Sequence, residues 1–468
     1  MLFSANHSSS QKTRGYLFLG LLLLAFPLLG LGCQQRVTPE PVTLKYWRVF
    51  DGEDTMAPII SAYRQAHPYV TIDYRLLRYE EYEQQLLQAM AENRGPDLFS
   101  IHNTWFGEYQ SRLAALPATT TTAEIIAAES YFSKAGFEER SNRSLTPSDV
   151  RQAFIDVVGN DVIRKNEAKT EAVYGLPLAV DTLALFYNKD ILNSNSIATP
   201  PTDWEQFLAA VAKISRLDPS GQIIVSGASL GTADNIPRFS DIIAALMMQN
   251  GADMIDANGF VTFHITPDRF PDRSFSPGLE ALRFYTDFAN PTREAYSWND
   301  EMPDALEAFI TGRSAFFFGY SYQIPTIRAR APQLHWGVTQ LPQADRANNT
   351  VNIANYWTEV VAKSSPNQEV AWDFLQFAAK NEQAKTYLDA TGKPPALRSL
   401  IGEYQSDPVR GPFTSQLLTA KSWYRGRDAA AAEKAFRDLV AAIPTLEKPT
   451  DLKTIVGTAV QRINQTIR

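Results

Sequence analysis

The alternation of strand and helix patterns between Leu44 and Ile101 constrains this chain more than any other feature. Leu44 to Val49 reads as a strand. Met56, Ile59, Ile60 and Tyr63 then recur at helical spacing until His67-Pro68 stops the helix. Val70, Ile72, Tyr74 and Leu76 alternate with polar residues, as in a half-buried strand. Tyr82, Leu86 and Met90 return to helical spacing, and Leu98 to Ile101 is a buried strand after the Gly95-Pro96-Asp97 turn. A β-α-β-α-β order builds a parallel-type sheet with helices packed on it.

A second α/β region follows the stretch from Val173 to Asp190, VYGLPLAVDTLALFYNKD. Its apolar runs are short and bounded by Gly and Pro, which favours strands meeting at a bend. The chain of 468 residues is long enough for two domains with sizeable cores. Its net charge of -7, with acids and bases interspersed, offers no basic run for nucleic acid. Residues 118–166 are less legible. They hold a Thr run, Thr119 to Thr122, and a polar patch, Ser141 to Ser144, and read as helices and loops on the surface of the first domain.

The N-terminus has its own chemistry. Lys12 and Arg14 precede an apolar run from Tyr16 to Leu31, followed by Gly32-Cys33. That is the layout of a secretory signal. Cys33 is the single cysteine, so it has no internal disulfide partner. The Leu-Gly-Cys ending resembles a bacterial lipoprotein signal, in which the cysteine is acylated after cleavage. Gly30 stands where that pattern favours Leu. The expectation is a signal over 1–33, lipidation of Cys33 and a linker over 34–41, which leaves the remainder outside the cytoplasm on the membrane surface. The alternative is an uncleaved anchor helix.

Six further segments occur in a recognisable order. They include GPDLFSIHNTWFGEYQSRLAAL at Gly95 to Leu116, YGLPLAVDTLALFYNKD at Tyr174 to Asp190 and PPTDWEQFLAAVAKI at Pro200 to Ile214. ALEAFITGRSAFFFGYSY, WGVTQLPQ and KSSPNQEVAWDFLQFAA follow at Ala305, Trp336 and Lys363. In this order the chain resembles the extracellular solute-binding proteins of bacterial ABC importers, in the group of the maltodextrin-binding protein. The resemblance implies an α/β fold of two lobes, the type II periplasmic-binding-protein-like fold, with three hinge crossings. The crossings are expected near Ala179 to Leu185, Ser321 to Pro332 and Gly392 to Ala396. Lobe 1 would hold 42–180 plus 332–392, and lobe 2 would hold 182–323 plus 396–468.

The implied ligand is a carbohydrate, an oligosaccharide, passed to the transmembrane subunits of an ABC permease. The protein would be a monomer without a cofactor. A sugar needs flat aromatic faces to stack on and polar groups around its rim. Trp105 follows a strand in the loop where the family contacts sugar. Tyr320 and Tyr322 end the run from Phe316 to Gly319. Tyr356 and Trp357 interrupt a strand pattern, and Trp423 and Tyr424 match an aromatic that caps the family's site. Asp181 lies in the first crossing, where burying an unpaired carboxylate would be costly. Asp51 and Glu53 follow the first strand, at the end where open α/β sheets bind ligands. Asn103 and Arg238, with Asp234, complete the polar candidates.

Two other classes of function are weaker. No nucleophile elbow, metal-binding His motif or phosphate loop is present, which argues against an enzyme. A polyamine or another small polar solute as ligand rests on Asp51, Glu53 and Asp181 as an acidic set. A bilobal sensor not coupled to transport would have the same sequence features.

Overall fold

The computed structural model describes residues 36–126, 136–344, 349–445 and 451–467. Strand β1 is Arg36–Val37, β2 is Val42–Val49, β3 is Val70–Leu77 and β4 is Leu98–His102. β2 pairs in parallel with β3 and β4. The helices Glu53–Ala66 and Tyr79–Ala91 make the crossovers. Every residue of β4 is buried, as expected for a strand inside a sheet covered on both faces. Around this sheet Leu44, Tyr46, Ile59, Leu86, Phe99 and Trp372 pack into the first of two apolar cores.

β5, Thr119–Ile126, and β6, Gly136–Arg143, pair antiparallel, and β1 adds to the free edge of β6. The Thr run is therefore a strand, where helices and loops were expected. Thr is β-branched and suits a pleated surface, and Thr120 and Thr122 turn inward and are buried. β1 also occupies the stretch expected to be only linker. A short hairpin follows, β7 Ile163–Lys165 with β8 Glu171–Val173.

The second lobe is built on another sheet. Its strands are β10 Ala184–Asn188, β11 Arg216–Leu217, β12 Ile223–Ala228, β13 Ser314–Gly319 and β14 Trp336–Gln340, in the order β11-β12-β13-β10-β14. The helix Phe239–Gln249 is buried along its whole length, as its apolar composition on all sides requires. At the helix Trp204–Ile214 the cap is Asp203, which accepts from the Gln206 N–H at 2.8 Å.

A three-stranded sheet joins the lobes. In it β9, Asp181–Thr182, pairs with β15, Asn352–Asn355, which pairs with β17, Ala420–Lys421. Val180 belongs to the first core and Leu183 to the second, so the first crossing lies at β9. The second crossing is later than expected. β14 pairs with β10 over five residues, and Ile353 still packs in the second core, whereas Ala354 packs in the first. β16, Trp357–Val361, then joins β4 antiparallel.

The third crossing also shifts. Pro394 and Pro395 do meet the first crossing, at Val180 and Ala179. The chain then turns back, and Ala396, Leu397, Leu400 and Tyr404 pack in the first core. Phe413 reaches the second core, Leu417 and Ala420 return to the first, and Trp423 is again in the second.

Candidate ligand-binding site

The ends of β2, β3 and β4 and the start of β16 bring aromatic side chains to one edge of the first sheet. Phe50 follows β2 with a φ of 72°. That backbone region is costly for a bulky residue, and such strain collects at functional sites. Its ring stacks on Tyr79 at 5.5 Å and meets Trp357 edge-on at 5.8 Å. Trp357 is the hub. Tyr79, Tyr82, His102 and Trp105 also meet it edge-on, with centroids 5.2–6.2 Å away. Trp105 in turn stacks on Tyr109. Phe50 is 60% exposed and Tyr79 52%, although both rings sit in the cluster. Adjoining exposed aromatic rings at the strand ends make this a candidate place for a ligand.

Polar groups sit beside this cluster. The Thr104 N–H and hydroxyl both reach His102 Nδ1, at 3.4 and 2.8 Å. An N–H only donates, so Nδ1 is the acceptor and Nε2 carries the proton, which it donates to Asn355 Oδ1 at 3.0 Å. Burial lowers the His102 pKa to about 4, and the Arg238 charge acts in the same direction. The ring is therefore neutral at neutral pH.

The second lobe contributes a set gathered by one carboxylate. Asp241 is buried in the first turn of the helix Phe239–Gln249. It accepts from Arg238 Nε at 2.8 Å and Nη2 at 3.0 Å, from Tyr320 Oη at 2.6 Å and from Trp423 Nε1 at 2.9 Å. Asp241 is an anchor that the sequence reading did not name, and it takes up two expected contact residues: Tyr320 and Trp423 are buried against it, so only Arg238 of the three remains partly exposed. Burial opposes the Arg238 charge, but Asp241 outweighs it and keeps the guanidinium protonated. Tyr322 stacks on Tyr320 at 5.9 Å and is 49% exposed. Burial of its hydroxyl is the main reason its pKa rises to about 12. The aromatic cluster belongs to the first lobe and the Asp241 set to the second, on either side of the crossings.

Asp181 lies in the crossing itself, paired with Asn355. Its Oδ1 accepts from the Thr182 N–H at 2.9 Å, and its Oδ2 from the Ser321 N–H at 2.8 Å and hydroxyl at 2.6 Å. Burial pushes its pKa up to about 6 against these bonds. The carboxylate ties the first crossing to the end of β13, and its acceptor positions are largely taken.

Other expected residues are occupied within the fold. Asp51 is buried and accepts from Arg48 at 3.1 Å, Lys393 at 2.6 Å and Tyr387 at 2.7 Å. Burial raises its pKa, but the two cations outweigh that and hold it below the ordinary value. Glu53 is exposed in the first turn of the helix Glu53–Ala66, where its charge suits the helix dipole. Tyr356 is buried and donates to Asp161 at 2.8 Å. Tyr424 is buried and donates to Thr466 Oγ1 at 2.9 Å. Asn103 Nδ2 donates to Ser422 at 2.8 Å, and its Oδ1 has no partner. Asp234 pairs with Arg437 on the surface of the second lobe. Cys33 lies outside the described residues.

Phe50, Tyr79, His102 and Asp241 are the site residues that the sequence reading passed over. Phe50 and His102 lie at the C-terminal ends of parallel strands and Tyr79 just beyond one, the same rule that drew attention to Asp51. Asp241 had no signal beyond one acid in an apolar helix. A cavity of about 360 Å³ elsewhere in the second lobe is lined by Arg427, Asp428, Ala431, Lys434, Arg462, Gln465 and Thr466. It has no aromatic wall. Among the described residues no group of three or more His, Cys, Asp or Glu is placed to hold a metal ion.

The family model described as bacterial extracellular solute-binding protein matches residues 51–385. The chain belongs to this family. A Brucella abortus (strain 2308) binding protein is 21% identical to this solute-binding protein over 420 residues, with 88% of each chain covered. The galactooligosaccharide-binding protein of Bacillus subtilis (strain 168) is 21% identical over 257 residues, 52% of this chain and 54% of that one. The crystal structure of the cyclic alpha-maltosyl-1,6-maltose binding protein from Arthrobacter globiformis superposes with a TM-score of 0.67 at 18% identity. It covers 91% of this chain and 99% of that one. Two lobes around a hinge are the shared architecture, and the family acts outside the cytoplasm. No described helix is long and apolar enough to cross a membrane.

Proposed function

We propose that this solute-binding protein captures an oligosaccharide between its lobes and delivers it to an ABC permease, held at the membrane by an acylated Cys33. The observation that carries the ligand class is the aromatic cluster of exposed Phe50 and Tyr79 around half-buried Trp357, with exposed Tyr322 and the clamped Arg238 in the other lobe. Aromatic faces match the C–H faces of a sugar, and the Arg238 guanidinium and the Asn355 amide suit its hydroxyls. Closure about the hinge would bring the two sets onto one ligand. The named ligands of several relatives, among them galactooligosaccharide and cyclic maltosyl-maltose, are of the same class.

The polyamine alternative loses its basis. Asp51 and Asp181 are already partnered inside the protein, and Glu53 stands at a helix start. A thermal-shift screen with maltodextrins, galactooligosaccharides and spermidine tests the reading. A ligand at a hundred times its Kd stabilises the native state by about 2.7 kcal/mol. A shift with spermidine and none with any sugar would overturn the carbohydrate assignment.

A further inference from the structure

We infer that the outer half of β6, Glu139 to Arg143, rests against the lipid surface that holds Cys33, so that the first lobe is fixed at the membrane and the second lobe is the one that swings. This rests on the acylation of Cys33 proposed above. The first argument is reach. Arg36 pairs with Glu138 and Val37 with Phe137. Cys33 precedes Arg36 by three residue steps, which span about 11 Å at most when fully extended. The headgroup layer on each face of a bilayer is about 5–8 Å deep. A sheet that begins this close to the acyl chains starts no more than about 3–6 Å beyond the headgroups.

The second argument is direction. The antiparallel register turns the N-terminal side of β1 toward the Arg143 end of β6. The third is rigidity. β6 pairs with β5 along its whole length, from Thr119 opposite Arg143 to Ile126 opposite Gly136. β5 is fastened to the helix Gln368–Ala378, with the Thr121 N–H donating to Glu369 at 2.7 Å and the Thr120 hydroxyl to Asp373 at 3.2 Å. Just beyond β6, the Leu145 N–H donates to Gln376 of the same helix at 2.8 Å. The anchor is thus coupled to the core of the first lobe. The chemistry of the face agrees. Glu139, Arg140, Ser141, Asn142 and Arg143 are all exposed and polar, with Arg140 paired to Glu124 and Arg143 to Asp149, which suits zwitterionic headgroups and not hydrocarbon.

The experiment uses the acylated full chain in phosphatidylethanolamine–phosphatidylglycerol vesicles that carry a headgroup nitroxide. Acylation blocks Cys33, so a thiol-reactive fluorophore reports a single engineered site. Ser141→Cys places it on β6, and Gln222→Cys on an exposed turn of the second lobe. Fluorescence at 141 should fall below its value in vesicles without the nitroxide, because the label then sits against the headgroups. The label at 222 should keep its intensity. A 20-residue Gly/Ser insertion between Gln35 and Arg36 adds a coil of about 25 Å root-mean-square length and should abolish the quenching at 141. No quenching at 141, equal quenching at both sites, or quenching at 141 that survives the insertion and so does not come from the anchor overturns the inference while leaving anchoring intact. A mass spectrum without the diacylglyceryl group overturns both.

Discussion

The Asp241 anchor makes a quantitative prediction. Tyr320 Oη lies 2.6 Å from Asp241 Oδ2, and both groups are buried. A hydrogen bond to a charged acceptor contributes about 1.5–3 kcal/mol. Tyr320→Phe should therefore destabilise the protein by about that amount, because Asp241 keeps Arg238 and Trp423. In an Asp241→Ala background the Tyr320 hydroxyl is buried without a partner, a state that costs about 1–3 kcal/mol. There Tyr320→Phe should be neutral or stabilising. The double-mutant cycle should then give a coupling energy of at least about 1.5 kcal/mol. Equilibrium urea unfolding of the four proteins measures it, with Asp241→Asn in reserve should the alanine variant not fold. Additive effects, within about 0.5 kcal/mol, would refute the account of Asp241 as the organiser of the second-lobe wall.

Other consequences are separately testable. Trp357→Ala removes the hub of the aromatic edge and should weaken oligosaccharide binding about tenfold by calorimetry, roughly one stacking interaction; a change within twofold would remove Trp357 from the platform. Asp51→Ala removes the carboxylate that half-buried Lys393 pairs with and one of the two that hold buried Arg48, which keeps Glu359, and should cost about 1–3 kcal/mol of stability, with ligand affinity of the folded protein unchanged; lost affinity at full stability would return Asp51 to the ligand site. Asp181 has a folded pKa of about 6 against an ordinary 3.8, so the folded state holds its proton more tightly. That contribution is complete below the unfolded pKa and is lost as pH rises through about 6, and each tenfold difference in proton affinity between the two states corresponds to about 1.4 kcal/mol. Between pH 5 and 7.5 the melting temperature of the wild type should fall relative to that of Asp181→Asn, and parallel melting curves would contradict the raised pKa.

Much of the fold was legible because secondary structure is written in local periodicity. The β-α-β-α-β opening, with its buried strand Leu98–His102, followed from spacing over a few residues. The order of motifs was enough to suggest the family and its two lobes. The crossings were not legible beyond the first. Trp336–Gln340 has a strand pattern that fits either sheet, and only its pairing with β10 assigns it to the second. Pro394-Pro395 reads as a break, and nothing local says that the chain then turns back onto the first core.

The site divided in the same way. The family resemblance nominated Trp105, Trp357, Tyr320, Tyr322, Arg238 and Trp423. Whether a polar side chain is free for a ligand depends on partners far away in sequence. Asp51 is taken by Tyr387 and Lys393, Tyr356 by Asp161, and Asp181 by Ser321. The sequence by itself determined which residue types were available at the strand ends. Only the tertiary structure decided which of them are satisfied internally and which remain exposed, because a buried hydrogen bond is a contact between distant segments and leaves no trace in local pattern.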